Sequence, residues 1–313
     1  MSKAYLITGG AGFIGCNLIR QLAAPGVHIR VLDNLSAGRP EDLEGFKVEL
    51  MVGDIRDKQV VDRAMKGVDS VIHLAAHTNV IESIKHPEIN LETNVHGTFN
   101  ILQASVRHGV QRFIFASTGG AILGDVAPPV HEEMVPHPVS PYGASKLAGE
   151  GYCSAFYGSF GLKTICLRFS NVYGPYSYLK GSVIALFFRQ LLAREELTVY
   201  GDGEQTRDFV HVTDLCRAII TALHAEAPFG QAIQLGTGRE TSINRLIALL
   251  RQVVPEKDFP PVRFAPTRPG EVQRNFVSIA RAQEILQFSP QADLLSGLKQ
   301  TWTWFQEQAN KSV

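Results

Sequence analysis

The chain has 313 residues, 45% of them hydrophobic, so it can bury a large core as one large domain or as two smaller ones. Lysine plus arginine equals aspartate plus glutamate at 30 each, which leaves no overall charge to attract nucleic acid or an anionic membrane. The first apolar stretch, residues 4–8, is too short for a signal peptide, and no later run approaches a membrane span. We therefore expect a cytoplasmic protein without nucleic-acid or membrane partners.

The four cysteines are far apart and lack the spacing of metal ligands. We interpret them as reduced thiols that pack as small hydrophobic residues, and we predict no metal site. They are Cys16, Cys153, Cys166 and Cys216.

Short apolar runs alternate with amphipathic stretches through the first half, a pattern typical of a parallel sheet covered by helices on both faces. The predicted strands are 4–8, 28–33, 48–52, 70–74, 112–117 and 163–168, with helices such as 91–108 between them. This order predicts a doubly wound α/β sheet over residues 1–170. Beyond residue 171 the pattern loosens, which predicts a smaller α/β domain over 171–313, with segments near 208–237 returning to the first. Residues 292–308 have helical spacing.

A glycine-rich segment, Gly-Gly-Ala-Gly-Phe-Ile-Gly at residues 9–15, lies between the first strand and an apolar helical pattern. In such a turn Gly10 would permit the tight bend, Gly12 would let the backbone approach a pyrophosphate, and Gly15 would let helix and sheet pack closely. The helix N-terminus would supply unpaired N–H donors. The segment therefore predicts a dinucleotide site.

The second strand ends at Asp33, whose carboxylate could accept both hydroxyls of an adenosine ribose and would repel a 2′-phosphate. This favours NAD over NADP. Arg39 weakly favours NADP, because a nearby arginine can bind a 2′-phosphate, although a solvated loop position explains its presence more simply. Asp54 follows the third strand and could either meet the adenine edge or cap the next helix.

Tyr142 and Lys146 are four residues apart, and Pro141 is well placed to begin a helix, so both side chains would share one helical face. A lysine ammonium there would lower the pKa of the tyrosine and make it a general base. Ser117 and Thr118 end a strand at the carboxyl edge, where open α/β sheets bind ligands, and either hydroxyl could contact a reacting alcohol.

These motifs together resemble the extended short-chain dehydrogenases/reductases, specifically the NAD-dependent epimerase/dehydratase family, over essentially the whole chain. The resemblance implies a Rossmann-type sheet with a smaller C-terminal substrate domain. Further segments are similar to the UDP-hexose 4-epimerases of this family: residues 73–77, 94–98, 167–174, 201–203, 207–212 and 268–271.

The resemblance also implies the remaining site residues. An NAD site would comprise Gly9, Gly12, Phe13, Ile14, Gly15, Asp33, Asn34, Ser36, Gly38, Asp54, Ile55, Leu74, Ala75, Ala76, Asn94, Tyr142, Lys146 and Phe169. A UDP-sugar site would comprise Thr78, Thr118, Tyr142, Asn171, Ser182, Val183, Thr198, Tyr200, Arg207, Arg268, Glu271 and Asn275. The guanidinium groups of Arg207 and Arg268 match the geometry of a diphosphate, and they supply local positive charge in a protein that has no net charge to attract one.

Members of this family begin by oxidising C4 of the sugar and differ in the step that follows. Dehydratases carry an Asp-Glu pair after the threonine, where this chain has Gly119 and Gly120, and decarboxylases carry a glutamate in a stretch that is apolar here. We therefore expect 4-epimerisation with NAD retained. Asn275 stands at a gate position, where a residue smaller than tyrosine should admit a 2-acetamido group, so UDP-GlcNAc and UDP-GalNAc are the expected pair, with UDP-glucose and UDP-galactose also open.

Two departures from the family pattern concern Thr78, which stands where many relatives have a lysine, and the stretch from Ser117 to Gly124, which is one residue longer than in the commonest epimerase form. The extra residue leaves Ser117 and Thr118 both eligible as the catalytic hydroxyl, and we prefer Thr118. Alternatives are a keto-sugar-nucleotide reductase, a UDP-glucuronate or other 4-epimerase, and a non-catalytic NAD-binding regulator. By family analogy we expect a homodimer paired through helices 91–108 and 142–157, and a role in polysaccharide biosynthesis.

Overall fold

The computed structural model describes residues 3–226, 228–267 and 272–311. Its strands are β1 (Lys3–Thr8), β2 (Val27–Asp33), β3 (Val48–Val52), β4 (Ser70–His73), β5 (Arg112–Thr118), β6 (Lys163–Phe169), β7 (Asn171–Tyr173), β8 (Leu197–Tyr200), β9 (Thr206–Arg207), β10 (Phe209–His211), β11 (Gln231–Leu235), β12 (Thr241–Ser242) and β13 (Val262–Ala265). Its α-helices are α1 (Phe13–Leu22), α2 (Lys58–Met65), α3 (Val80–Lys85), α4 (Pro87–Asn90), α5 (Thr98–Arg107), α6 (Pro141–Phe160), α7 (Val183–Ala193), α8 (Val212–Ala222), α9 (Ile243–Val253), α10 (Ala280–Leu286) and α11 (Leu294–Lys311).

A seven-stranded parallel sheet in the order β11-β6-β5-β4-β1-β2-β3 forms the centre of the molecule. The six predicted strands are all present in it, with ends that agree to within one residue. The seventh, β11, comes from the segment that was expected to return to the first domain. The order reverses between β1 and β4, and ligands of doubly wound sheets bind in the crevice at such a point.

Helices cover both faces of the sheet, as the alternating pattern predicted. One apolar cluster packs α1 and α8 against one face, and a second packs α2, α5 and α6 against the other. A third cluster lies in the C-terminal part, where α7, α9 and α11 surround Phe188, Trp302 and Phe305. Three two-stranded sheets, β7 with β10, β9 with β12 and β8 with β13, complete this part. The predicted fold class is confirmed.

Helix α6 begins and ends as its sequence dictates. The Ser140 side chain accepts a hydrogen bond from the Gly143 N–H (3.1 Å), and Pro141 occupies the first turn. The helix ends at Gly161, whose φ of +70° suits glycine. This start fixes Tyr142 and Lys146 in the first two turns.

The predicted helix 91–108 is interrupted. Residues Leu91–Gly97 form a π-helical segment, and the α-helix α5 begins only at Thr98. The wider turn contains Asn94, whose buried side chain is used in the site described below. Sequence periodicity alone does not distinguish such a segment from an ordinary helical turn.

All four cysteines are buried with free thiols, as predicted. Within the described ranges, no helix combines the length and apolar character that crossing a membrane requires.

Candidate active site

The glycine-rich loop makes its turn at Gly9 rather than at Gly10, which corrects the sequence prediction. Gly9 has a φ of +69°, and a Cβ there would lie 2.8 Å from the Ala75 nitrogen. Gly10 is needed for packing instead, because a Cβ would lie 2.8 Å from Val31. Gly15 packs as closely as predicted, with its Cβ position 2.5 Å from the Gly10 Cα.

The N-terminus of α1 is suited to bind a diphosphate. Gly12 is its N-cap and provides no side-chain cap, so the first backbone N–H groups of Phe13 and Ile14 are left for a ligand. A Cβ on Gly12 would approach the Gly9 carbonyl oxygen to 3.3 Å, so the loop is close-packed as well as open at its tip. The helix dipole adds positive potential at this end.

Asp33 is buried at the end of β2 and organises the loop from below. It accepts hydrogen bonds from the Ala11 N–H (3.0 Å) and the Leu35 N–H (2.8 Å), while burial raises the pKa of its carboxyl group. Next to it the Asn34 side chain accepts hydrogen bonds from the Ser36 N–H (3.1 Å) and hydroxyl (2.7 Å). Gly38 lies so close to Ala11 that a Cβ would meet it at 2.8 Å. The N–H groups at the start of α1, the Asp33 carboxylate and the close-packed glycines together fit a dinucleotide.

The alternative role considered for Asp54, a helix cap, is wrong. Asp57 caps α2, and its carboxylate accepts from the Gln59 and Val60 N–H groups. Asp54 instead pairs with the Arg56 guanidinium (2.8 Å) and accepts a hydrogen bond from Asn34, and the bond to Arg56 lowers the pKa of Asp54 to about 2. It therefore lies beside the loop after β2, next to the buried Ile55.

The segment after β4 is held by two side chains. The Ala75 N–H donates to the Thr8 hydroxyl (3.2 Å), which places Leu74–Ala76 beside the glycine loop. Asn94 accepts from the His77 N–H (2.8 Å) and donates to the His77 carbonyl oxygen (2.9 Å). Asn94 thus fixes this wall of the crevice from the π-helical segment, whereas Thr78, one residue further, is exposed.

Arg39 is not a bare loop charge, because its guanidinium has an aromatic partner. Its guanidinium lies over the Tyr178 ring, 5.4 Å from the ring centroid. A residue of the cofactor loop therefore contacts a residue of the C-terminal part.

Ser117 and Thr118, the last two residues of β5, have hydroxyls with different partners. The Thr118 side chain lies close enough to the Tyr142 phenol to interact with it, and this interaction opposes the effect of burial, which raises the Tyr142 pKa to about 12. The Ser117 hydroxyl donates instead to a carboxylate oxygen of Glu150 (2.5 Å). Tyr142 and Thr118 are thus brought together, and Ser117 is directed elsewhere.

Lys146 does not lower the Tyr142 pKa here, contrary to the sequence prediction. Its ammonium donates to the Ala116 carbonyl oxygen (2.8 Å) and lies 5.0 Å from the Phe115 ring centroid. Burial lowers the pKa of Lys146 to about 8 and raises that of Tyr142, so desolvation dominates at both groups.

Half of the residues of the predicted UDP-sugar site come from the small sheets and from the start of α7. Asn171 begins β7, Ser182 is the N-cap of α7 and Val183 its first residue, and Thr198 and Tyr200 belong to β8. The Ser182 hydroxyl is buried without a hydrogen-bond partner among the described residues. Arg207 donates to the carbonyl oxygens of Thr206 (2.7 Å) and Val272 (2.8 Å). Arg268 and Glu271 lie outside the described residues.

The segment 272–278 runs from β9, in the predicted sugar site, to the loop that follows β5. The Thr206 N–H donates to the Gln273 carbonyl oxygen (2.8 Å), and the Ser278 N–H donates to the Val130 carbonyl oxygen (2.8 Å). Between them Asn275 lies so close to Gly120 that a Cβ on this glycine would contact its amide nitrogen. The predicted gate residue therefore contacts the glycine that follows Thr118 by two positions.

Sequence reasoning missed Glu150 and Arg168. The Arg168 Nε and Nη2 donate to the two Glu150 carboxylate oxygens (2.9 and 2.8 Å) beneath the strand end. The position of Glu150, four residues after Lys146, was the available signal, because that spacing keeps a residue on the same helical face.

The fold and the site define a dinucleotide-dependent enzyme of the short-chain dehydrogenase class, with a tyrosine, a lysine and a threonine at the carboxyl edge of a Rossmann-type sheet. The chain belongs to the NAD dependent epimerase/dehydratase family, whose profile it matches over residues 5–236. Its cofactor is accordingly NAD.

The chain is similar to proteins of related activities. It is 36% identical to a UDP-glucose 4-epimerase of Mycolicibacterium smegmatis, with 98% of this chain and 99% of the relative covered. A solved UDP-glucose 4-epimerase of Thermotoga maritima with UDP-glucose superposes with a TM-score of 0.91 at 36% identity, covering 98% and 99% of the two chains. A UDP-N-acetylglucosamine 4-epimerase of Methanobrevibacter ruminantium in complex with UDP-N-acetylmuramic acid does so with a TM-score of 0.91 at 30% identity, covering 98% and 99%. A dTDP-glucose 4,6-dehydratase of Streptomyces griseus (35% identity, 97% and 94% covered) and a UDP-glucuronate 4-epimerase of Thermodesulfobacterium geofontis (30%, 97% and 96%) are also relatives.

Proposed function

We propose that this protein is an NAD-dependent UDP-sugar 4-epimerase that interconverts UDP-GlcNAc and UDP-GalNAc. The observation that carries the proposal is the proximity of the Thr118 side chain to the Tyr142 phenol at the carboxyl end of β5, followed directly by Gly119 and Gly120. Relatives named UDP-glucose 4-epimerase and a solved structure named UDP-N-acetylglucosamine 4-epimerase support it.

The reaction needs one group that takes and returns the C4 hydroxyl proton. Tyr142 has this role, and Thr118, whose side chain lies beside the phenol, orients the C4 hydroxyl of the sugar. When bound, NAD supplies the hydride acceptor and a positively charged ring, which favours deprotonation of a phenol whose pKa burial raises to about 12. Lys146, on the same face of α6 as Tyr142, adds a further positive charge, and the family resemblance implies that it binds the nicotinamide ribose.

Two features of the strand end argue against water loss. A Cβ on Gly119 would lie 2.9 Å from the Gln234 side-chain oxygen, and Gly120 lies against the amide of Asn275. Amides neither give nor take protons at neutral pH, so this position lacks the acid and the base that a dehydration requires. A 4-keto intermediate here would rotate and accept the hydride on its other face.

Asn275 supports the choice of substrate. It reaches the catalytic loop at Gly120, and an asparagine fills less space than the tyrosine of glucose-restricted enzymes, which leaves room for a 2-acetamido group. UDP-glucose and UDP-galactose would also fit. UDP-glucuronate is the alternative substrate, because a relative named UDP-glucuronate 4-epimerase covers nearly the whole chain.

The remaining assignments are part of the same proposal. The NAD site and the UDP-sugar site comprise the residues that the family resemblance implies, divided between a cofactor domain of residues 1–170 and a substrate domain of 171–313. We also propose a cytoplasmic homodimer that serves polysaccharide biosynthesis. The exposed apolar side chains of Leu91, Tyr152 and Phe160, on the π-helical segment and α6, support pairing through these helices, and sedimentation would reveal a monomer if it is wrong.

The test is to incubate the purified protein, without added reductant, with UDP-GlcNAc and separately with UDP-glucose, and to follow the anomeric protons by NMR. UDP-GalNAc should appear, and UDP-galactose more slowly or not at all. No change with either sugar, in protein that retains NAD, would contradict epimerisation. Consumption of added NADPH together with a 4-keto sugar nucleotide would instead favour the keto-sugar reductase.

A further inference from the structure

Glu150 lies on the same face of α6 as the two predicted catalytic residues. It follows Tyr142 by eight residues and Lys146 by four, which places the three side chains in successive turns along one side of the helix. Its side chain is only 10% exposed. A buried carboxylate is costly unless it is paired, so its partners explain its position.

The first partner is Ser117, whose hydroxyl donates to Glu150 at 2.5 Å. Successive strand residues point to opposite faces of a sheet. Phe113 and Phe115 pack into the cluster that contains α6, so Ser117 faces the same helix. By binding the Ser117 hydroxyl, Glu150 fixes the direction of the last residues of β5, including the residue that contacts Tyr142.

The second partner is Arg168, which binds both carboxylate oxygens of Glu150 through its planar fork. Ser117 and Arg168 are directly opposite each other in the β5–β6 pairing. One carboxylate therefore joins α6 to the ends of two neighbouring strands, and it does so just below the reacting groups.

The third effect of Glu150 is on Lys146. Burial lowers the pKa of Lys146 to about 8, and the negative charge of Glu150 opposes this change. The other titratable groups around the ammonium are Cys153 on α6, Cys166 on β6 and His73 on β4. The hydrogen bond with Cys153, together with burial, raises the pKa of Cys166 well above its usual value, and burial lowers that of His73 to about 3, so these two are neutral near pH 7.

We infer that Glu150 is a positioning residue for the reaction, which holds Ser117 away from Tyr142, fixes the end of β5, and supplies the negative charge beside Lys146. The inference rests on the proposed function for its catalytic meaning. It assigns the buried Ser117–Glu150–Arg168 group a role in the chemistry in addition to its role in packing.

The test compares three variants of the NAD-containing enzyme. Glu150→Gln keeps the shape of the side chain and an acceptor for Ser117, but removes the charge. We expect kcat to fall by about ten- to a hundredfold with little change in KM. The loss of activity at high pH should also begin about one pH unit lower, because Lys146 then loses its proton more easily.

Two further variants separate positioning from folding. Glu150→Asp keeps the negative charge, so its activity should fall off at the same high pH as that of the wild type, even if kcat is reduced. Glu150→Gln combined with Arg168→Met removes both members of the Glu150–Arg168 ion pair, so no guanidinium is left buried without its carboxylate, and the activity at high pH should still fall off earlier than in the wild type. The inference would be overturned if activity at high pH fell off at the wild-type pH in both variants that remove the charge. It would also be overturned if the fall-off moved by the same amount in Glu150→Asp, which keeps the charge.

A readout independent of turnover distinguishes this result from a failure of the proposed function. Lys146 can be titrated by NMR in protein containing ¹³C-labelled lysine, with its signal assigned by Lys146→Met. A lower Lys146 pKa in Glu150→Gln would support the electrostatic part even if no UDP-sugar were epimerised, and an identical titration would refute it.

Discussion

The cofactor edge of the sheet (residues 9–15, 33–38, 74–77 and 94) and the sugar-side cleft (171, 182–183, 198–207 and 272–278) are built differently. Along the cofactor edge the polar side chains already have internal partners. Asp33 holds the backbone of the glycine loop, and Asn94 binds both the N–H and the carbonyl group of His77. In the sugar-side cleft the segments come from separate small sheets, and the buried Ser182 hydroxyl has no hydrogen-bond partner among the described residues.

This difference indicates where binding reorganises the protein. A site whose polar groups are mutually bonded keeps its shape without its ligand, whereas a buried hydroxyl without a partner gains one when a polar ligand arrives. We therefore expect the cofactor edge to be preformed and the sugar-side cleft to tighten on the substrate. Tyr142 and Thr118 lie between the two, so changes at these positions should affect chemistry more than either binding event.

The largest effect is expected for Tyr142→Phe. The variant loses only the proton-transferring hydroxyl, so kcat should fall by about 10²–10⁴-fold. NAD content, measured after denaturation, and the affinity for UDP, measured by calorimetry, should both stay near wild type. Loss of NAD from this variant would mean that the cofactor edge depends on the catalytic group, and the comparison would fail.

Thr118→Ala should come next, with a loss of about 10²-fold in kcat, because one hydrogen bond to the reacting groups disappears. Ser117→Ala is its matched control and should cost less, since its hydroxyl is bound to Glu150. Turnover of both variants measured by the same NMR assay decides between the two hydroxyls. If only Ser117→Ala loses activity, the assignment to Thr118 is wrong.

Asn275→Tyr tests the sugar-side cleft alone. The larger ring beside Gly120 should lower kcat/KM for UDP-GlcNAc relative to UDP-glucose by roughly 10–200-fold, while NAD content is unchanged. Asn275→Ala, which keeps the space open, is the control and should preserve the substrate ratio. Comparable turnover of both sugars by the wild type, unchanged in Asn275→Tyr, would remove the size argument.

The smallest effect concerns the stability of the cofactor half. His73 is buried between the Thr8 hydroxyl (2.6 Å) and the Thr98 hydroxyl (2.9 Å), and burial lowers its pKa from 6.5 to about 3. Below pH 6.5 the unfolded chain binds a proton that the folded chain excludes. This contribution to stability is therefore complete above pH 6.5 and is lost as the pH falls toward 3, by at most about 1.4 kcal/mol per pH unit.

Urea unfolding at several pH values between 7.5 and 5, with saturating NAD, measures this slope. His73→Asn removes the titrating group, so the difference between its free energy of unfolding and that of the wild type should shrink as the pH falls. A difference that is constant with pH would show that His73 is protonated equally in both states.

The cofactor half was predicted well from the sequence because its signals are local. Each strand of the central sheet is a short apolar run, the glycine loop is contiguous, and Ser140 with Pro141 marks the start of α6. The loop was nevertheless misread in one detail. The left-handed residue is Gly9, and only the distance from Gly10 to Val31 reveals what the second glycine is for.

Other features depend on contacts between distant segments. The preference for Thr118 over Ser117 could not be strengthened by counting residues, because the contact that separates the two hydroxyls, from Ser117 to Glu150, joins positions 33 residues apart. The expected influence of Lys146 on Tyr142 failed for a similar reason. Spacing places both on one helical face, but only the structure shows the Ala116 carbonyl oxygen that binds the ammonium and the depth at which both groups are buried.

The position of β11 affects how the chain can fold during its synthesis. This strand pairs with β6 at one edge of the central sheet and buries Ile233 and Leu235, yet it follows β6 by more than sixty residues. A nascent chain that has completed only the first six strands therefore presents an open, apolar edge, and such edges pair readily with other chains. The cofactor half is finished only after much of the sugar-side half has left the ribosome, so the two halves mature together.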